Sequence, residues 1–407
     1  MAQMLLDELD AQPGAAGAPA APAREFGPNW FASVMGTGIV AVAGAQLPLH
    51  LPGLPVFATV VWVLASALLI GLTAAWAVHW ARHPARARGY AADPVMAQFW
   101  GAPPMALMVV GAGALLLGPA LLGPAAVGVD WVLWSAGTGL GLVTTCWVPY
   151  LMMTRHEIGA DAAFGGWLMP VVPPMVSAAT GALLVPHAAA GQPRLTLLVA
   201  CYAMFGISLL ASLVIIPQIW SRLVQYKVGA ATMAPTLWIV LGPLGQSVTA
   251  ASNLGKAAAH VLPVPYATGA AVAALLYGVP VWGFAMMWLV LAAAITLRTA
   301  RTAGCRLPFA LTWWSFTVPV GTCVTGTIAL ATRSHDLLLR DVSVVLYILL
   351  VLAWLTVVVR TVGYGAGRGQ PRSSAPRRSP ASLTAAVRAS ATSAAVSVRS
   401  GARKRSV

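Results

Sequence analysis

The chain has 407 residues, of which 59% are hydrophobic and only 8% charged, with a net charge of +14. A water-soluble domain carries roughly a quarter charged residues, so most of this surface faces something other than water. The basic excess is not accompanied by an RNP, zinc-finger or helix-turn-helix pattern, so nucleic acid is not an expected partner.

Residues 1–25 are rich in Ala and Pro and include Asp7, Glu8 and Asp10. With neither a basic start nor an apolar core, they do not read as a signal peptide, and a disordered cytoplasmic tail is expected. Ten apolar spans follow, at about 27–47, 54–81, 95–117, 127–150, 166–186, 194–220, 235–261, 266–297, 308–331 and 340–361. Each is long enough to cross a hydrocarbon core of about 30 Å. The runs are continuous and lack a period of two, so they predict helices rather than a barrel. Beyond them, 363–407 turn to Arg, Ser, Ala, Pro and Gly, the composition of a basic disordered cytoplasmic tail. The expected organisation is therefore an all-α integral membrane domain over 26–362 between two tails.

Loop charge sets the expected orientation. Arg82, Arg86, Arg88, Arg155, Arg222, Lys227, Arg298, Arg301 and Arg306 follow even-numbered spans, whereas only Arg194, Arg333 and Arg340 follow odd ones. Lys and Arg collect on the cytoplasmic side, which places both termini there, in a multi-pass plasma-membrane protein.

Odd spans are interrupted in their middles, by Gly36 and Gly38, Pro103 and Pro104, Pro170, Pro173 and Pro174, Gly242 and Pro243, and Pro319. In even spans the prolines lie mostly near an end, as at Pro149 and Pro217, with Pro280 the exception. Proline kinks a helix, and freed carbonyls are tolerated in a membrane where they line a cavity or pack inside protein. This predicts five hairpins, with kinked odd helices inside around a pore and straighter even helices outside. Pro and Gly are also common in membrane helices generally, so the pattern alone leaves both readings open.

No Asp or Glu is expected at mid-membrane; Asp93 and Asp130 sit at span entrances. Cation pathways usually carry buried carboxylates, so a cation pump is disfavoured. Lys256 and His260 share a helix face near the outer end of the seventh span, either as an anion-attracting vestibule or as a lysine snorkelling to headgroups. Hydroxyl and amide groups recur on odd spans: Ser33, Thr37, Ser177, Thr180, Ser247, Thr249, Ser252, Asn253, Thr317, Thr322 and Thr325. Such neutral groups can hold an anion without trapping it, or can bond one helix to the next.

Enzymatic signals are weak. Gly137, Gly139 and Gly141 form GxGxG inside an apolar span, where helix packing explains them better than a nucleotide. Cys146, Cys201, Cys305 and Cys323 form no CxxC pair, the histidines are scattered, and no cofactor or metal is implied. A non-transporting scaffold or sensor with a lipid-binding basic tail is the alternative from another class.

Four stretches in order carry a family resemblance: FGPNWFASVMGTGIV at 26–40, WLMPVVPPMV with AATG over 167–181, LGPLGQS at 241–247 and LTWWSFTVPVG at 311–321. Together they resemble the tellurite-resistance/dicarboxylate transporter family, which groups malate permeases and sulfite efflux pumps with slow anion channels. The resemblance implies a homotrimer with one anion pore per subunit, a small anionic substrate (malate, sulfite, a tellurite-like oxyanion or a monovalent anion) and efflux driven by gradient and voltage. It also implies an aromatic plug directly before the proline of the ninth span. Here that position is Val318, with Phe316 two residues earlier and Pro319 after it. Phe31, Thr37, Pro104, Pro173, Ser177, Pro243, Ser247 and Thr322 are the expected pore-lining residues.

Overall fold

Apolar runs with no other backbone to pair with close their hydrogen bonds internally. In the computed structural model, residues 27–49, 51–304 and 307–365 are described, and among them every regular element is helical. Both expected tails lie almost wholly outside the described residues, as do Cys305 and Arg306. The main helices are α1 (Phe31–Gln46), α2 (Leu54–Arg82), α3 (Ala102–Leu117), α4 (Ala125–Thr154), α5 (Pro173–Leu184), α6 (Gln192–Tyr226), α7 (Leu241–Ala257), α8 (Val264–Thr302), α9 (Val318–Ser334) and α10 (Leu337–Gly365).

Seven helical stretches among the described residues are long and apolar enough to cross a membrane: α2, α4, α6, α8 and α10, and α3 and α9 together with the turns that lead into them. The other three stretches expected to span are shorter as α-helix, at 16 residues in α1, 12 in α5 and 17 in α7. Part of their length goes into the tighter 3₁₀ form instead, at Pro28–Trp30, Gly165–Leu168 and Ala231–Val240. Met96–Gly101 and Leu311–Phe316 lead into α3 and α9 in the same way.

The odd-span prolines mark these junctions. Pro103 and Pro319 are second residues of their α-helices, Pro173 is a first residue and Pro243 a third. There a missing N–H is cheap, because first-turn donors have no intrahelical acceptor. The expected mid-helix kinks are thus corrected: proline stands where a 3₁₀ approach ends and an α-helix begins. By contrast, Pro149, Pro217 and Pro280 lie inside α4, α6 and α8, which run on through them.

Packing follows chain order. Helix α1 contacts α3 and α9, α3 contacts α5, α5 contacts α7, and α7 contacts α9, which closes a ring. Helix α2 lies on α1 and α3, α4 on α3 and α5, α6 on α5 and α7, and α8 on α7 and α9. The long helices expose Val60, Ile70, Leu210, Leu276 and Val290, whereas α1 is buried from Phe31 to Gly44.

Indole groups tie the long helices to the ring. Trp62 Nε1 donates to the Val110 carbonyl at 3.0 Å, Trp134 Nε1 to the Ser177 carbonyl at 3.0 Å, and Trp288 Nε1 to the Leu237 carbonyl at 2.9 Å. On α10, Trp354 Nε1 donates to Thr37 Oγ1 at 3.2 Å. Two glycines make room: a Cβ at Gly113 would overlap Trp62, and one at Gly181 would overlap Trp134. On α6 a hydroxyl takes the indole's place, with Ser208 accepting from the Met175 N–H at 2.9 Å and donating to the Val171 carbonyl.

Candidate functional site

A cavity of about 90 Å³ lies within the ring. That is room for several waters or a small organic or inorganic anion, since a single water needs roughly 10–15 Å³ on such a measure. Its wall is built from all five short helices and their leads. From α1 it takes Ala32, Met35, Ile39, Val42 and Gln46, alternating three and four residues apart, which is one face of a helix. From α7 and its lead it takes Ile239, Gly242, Pro243, Gln246, Thr249 and Asn253 in the same rhythm. Trp314, Ser315, Val318, Pro319, Thr322 and Thr325 come from α9 and its lead, with further residues from α3 and α5.

Among the described residues, no charged side chain is on this wall. Its polar groups are neutral, and several are already engaged. Thr180 donates to the Val176 carbonyl at 2.8 Å, Thr322 to that of Pro319 at 2.7 Å, and Asn253 Nδ2 to that of Ala179 at 3.0 Å. Thr249 and Thr325 bond to each other at 2.9 Å. An electrically neutral wall with some hydroxyl and amide character neither traps an anion nor offers a cation its carboxylates.

Of the residues expected from sequence, Val318, Pro319, Pro243 and Thr322 meet on this wall. The others face elsewhere. Phe31 packs edge-on against Trp76 at 5.6 Å, and Thr37 donates to the Ser33 carbonyl while accepting from Trp354. Pro104 and Pro173 lie against Gly137 and Gly141 of α4, and Ser177 Oγ bonds Thr138 of the same helix. Ser247 turns back to the Leu244 carbonyl at 2.8 Å. Phe316 sits against Trp238 at 5.2 Å and Trp313 at 5.8 Å, off the cavity wall. The GxGxG run divides likewise: Gly137 and Gly141 sit at the contact with the ring, and Gly139 has open space beside it.

Lys256 and His260 are exposed at the end of α7 and its 3₁₀ continuation, off the cavity wall. A second cation stands beside them. Arg333, expected in a loop, belongs to the last turn of α9 and donates to the carbonyls of Ser252 at 3.0 Å and Ala271 at 3.3 Å. Gly255, next to Lys256, leaves space for that guanidinium. Asp130, expected at a span entrance, lies in the second turn of α4. It is fully buried there against Gly111, and neither carboxylate oxygen has a hydrogen-bond partner among the described residues.

Sequence reasoning missed Gln46, Gln246, Trp314 and Ser315. The last three lie inside the quoted motifs, and the three-four spacing of wall residues is the signal that would have found them.

Repeated apolar helices around a neutral interior define a multi-pass helical membrane protein. The pattern of the voltage-dependent anion channel family matches residues 25–362. The sulfite efflux pump of Arthroderma otae is 26% identical over 348 residues, covering 83% of this chain and 90% of that one, and the sulfite efflux pump of Trichophyton rubrum matches equally. An uncharacterized transporter of Methanocaldococcus jannaschii is 26% identical over 341 residues, covering 83% of this chain and 94% of its own. The chain belongs to the voltage-dependent anion channel family, which bears out the resemblance read from its motifs.

Proposed function

We propose that this protein carries small oxyanions of the sulfite type out of the cell, through the cavity enclosed by α1, α3, α5, α7 and α9. The observation that carries the reading is the uncharged wall to which all five segments contribute. Relatives matched over nine-tenths of their length are sulfite efflux pumps, which favours a compact inorganic anion over a four-carbon dicarboxylate. The supporting arrangement is ten spans in five hairpins over residues 26–362, with α1, α5 and α7 completed as spans by their 3₁₀ leads. Subunits assemble as a homotrimer in the plasma membrane with both termini in the cytoplasm, as loop charge favours. The driving force is the anion gradient plus the membrane potential, which contributes about 2.3 kcal/mol per charge per 100 mV and favours exit from an inside-negative cell. Lys256 and Arg333 form a positive outer rim, with His260 one turn on from Lys256.

Flux into proteoliposomes under a clamped potassium-diffusion potential tests this. Sulfite and nitrate are expected to move with voltage and malate far more slowly. Malate moving as fast as sulfite would reject the substrate assignment, and no flux of any anion above protein-free vesicles would reject the transport reading.

A further inference from the structure

We infer that the groove between the C-terminal halves of α6 and α8 binds an anionic phospholipid, with an acyl chain in the groove and the headgroup phosphate on Lys227 and Arg298.

Helices α6 and α8 meet through their rings, Phe205 on Tyr277 at 5.6 Å and Trp220 on Trp288 at 5.9 Å. Beside the second contact lies a cavity of about 160 Å³, whose lining shares no residue with the cavity inside the ring. Leu237, Trp288 and Ala292 are buried and form its floor, and Trp220, Val224 and Leu291 are exposed along its rims. The polar atom of the Trp288 ring already donates to the Leu237 carbonyl, so the side chains of the floor offer a ligand only carbon.

Around this groove the two helices expose Leu213, Val214 and Val290, the surface of a protein that faces lipid. An empty apolar space forfeits its dispersion contacts, so an acyl chain fills it. The chain alone does not choose between lipids, because all phospholipids supply one.

The choice lies where the walls end. Lys227 follows Val224 by three residues, and its Nζ folds back to the Val224 carbonyl at 2.8 Å, which holds the ammonium at the mouth of the groove. Arg298 follows Ile295 by three residues and stands just under one turn further along the same face of α8. Both side chains are exposed, and neither is paired with a carboxylate among the described residues. Asp161 approaches by way of Arg222, but it offers its backbone carbonyl to Nε at 2.9 Å rather than its carboxylate. Two unpaired cations at the end of an apolar groove suit a phosphate whose chain runs down it, and basic pockets between spanning helices bind anionic headgroups. A choline headgroup would bring its own cation against these two. The ends of α2 and α4 also carry cations, Arg82 and Arg155, but there Trp76, Trp80, Trp100 and Trp147 pack ring on ring.

Native mass spectrometry of the full chain, titrated with phosphatidylglycerol or with phosphatidylcholine of the same acyl chains, tests this on the first lipid bound. Wild type is expected to prefer phosphatidylglycerol at least ~10-fold. Each cation contributes about fivefold, so Lys227→Gln with Arg298→Gln should raise the half-saturating phosphatidylglycerol concentration roughly 20-fold and leave phosphatidylcholine unchanged. Val224→Trp, which fills the groove from its exposed rim, should weaken both lipids, and Arg82→Gln with Arg155→Gln should weaken neither. Equal wild-type affinity for the two lipids overturns the inference, as does phosphatidylglycerol binding that survives loss of Lys227 and Arg298 or falls equally in the Arg82 and Arg155 pair. Glycerol phosphate displacing the lipid at equal concentration would overturn it too, by making the site one for a free phosphate. If Val224→Trp does not fold, the exposed charge variants decide. The readout involves no anion flux, so its failure is distinct from failure of the transport reading.

Discussion

Thr249 and Thr325 share a hydrogen bond of 2.9 Å across the contact between α7 and α9, and both side chains also form part of the cavity wall. Here the interface that holds two ring helices together is also the surface facing the interior. Gly245 and Gly326 meet close by, so the two backbones approach without side chains between them, as small residues allow in membrane helices.

Gly245→Ala should loosen this contact. Its Cβ would collide with the backbone of Thr322 and Cys323, which cannot rotate aside. Overpacking of this kind costs about 1–3 kcal/mol, so the purified protein should melt several degrees lower in detergent. An unchanged melting temperature would mean that α7 and α9 separate freely.

Val318→Phe should narrow the cavity at its α9 wall, where the smaller side chain now stands beside Pro319. Voltage-driven anion flux is expected to fall at least ~10-fold if this side chain sets the hydrophobic constriction. Flux equal to wild type would move the constriction elsewhere, and Phe316, held between Trp238 and Trp313, would not be its source.

Ser208→Ala should destabilise the protein without altering its selectivity. The hydroxyl satisfies the Met175 N–H and the Val171 carbonyl, at the turn where α5 begins. Losing it should cost about 1 kcal/mol, within the range measured for hydrogen bonds between membrane helices. Thermal melts and nitrate-to-sulfite flux ratios, measured together, separate the two effects.

Lys256→Gln should act through long-range attraction. The side chain is exposed at the end of α7 beside Arg333, off the cavity wall. Anion flux should drop about two- to threefold at 0.01 M salt and recover at 1 M, where the Debye length falls to about 3 Å. A deficit that persists at high salt would indicate direct ligation instead.

The long helices were legible because their signal is simple. An expected span at 54–81 became Leu54–Arg82, and one at 194–220 became Gln192–Tyr226. The facing of the short helices was not legible. Helix α1 is buried on every side, so hydrophobicity does not tell its cavity face from its packing face. Polarity was a partial guide: Thr180, Thr249, Asn253, Thr322 and Thr325 line the cavity, but Thr37 and Ser177 serve Trp354 and Thr138, and apolar Ile39 and Val176 line it too. The 3₁₀ leads were hidden too, because proline marks a boundary without stating whether it lies in the middle of a helix or at its start.

The brevity of α5 bears on how the chain enters a bilayer during synthesis. Twelve residues of α-helix measure about 18 Å, well short of a hydrocarbon core of about 30 Å. The apolar stretch 166–186 is long enough to span, but its backbone is not α-helical before Pro173, and lipid does not satisfy the polar groups this leaves. The next 35-residue helix, α6, carries Ser208, which satisfies the backbone where α5 starts. Stable seating of α5 is therefore expected to need α6, so a nascent chain cut before residue 192 should hold α5 in the membrane less firmly than one that reaches residue 226.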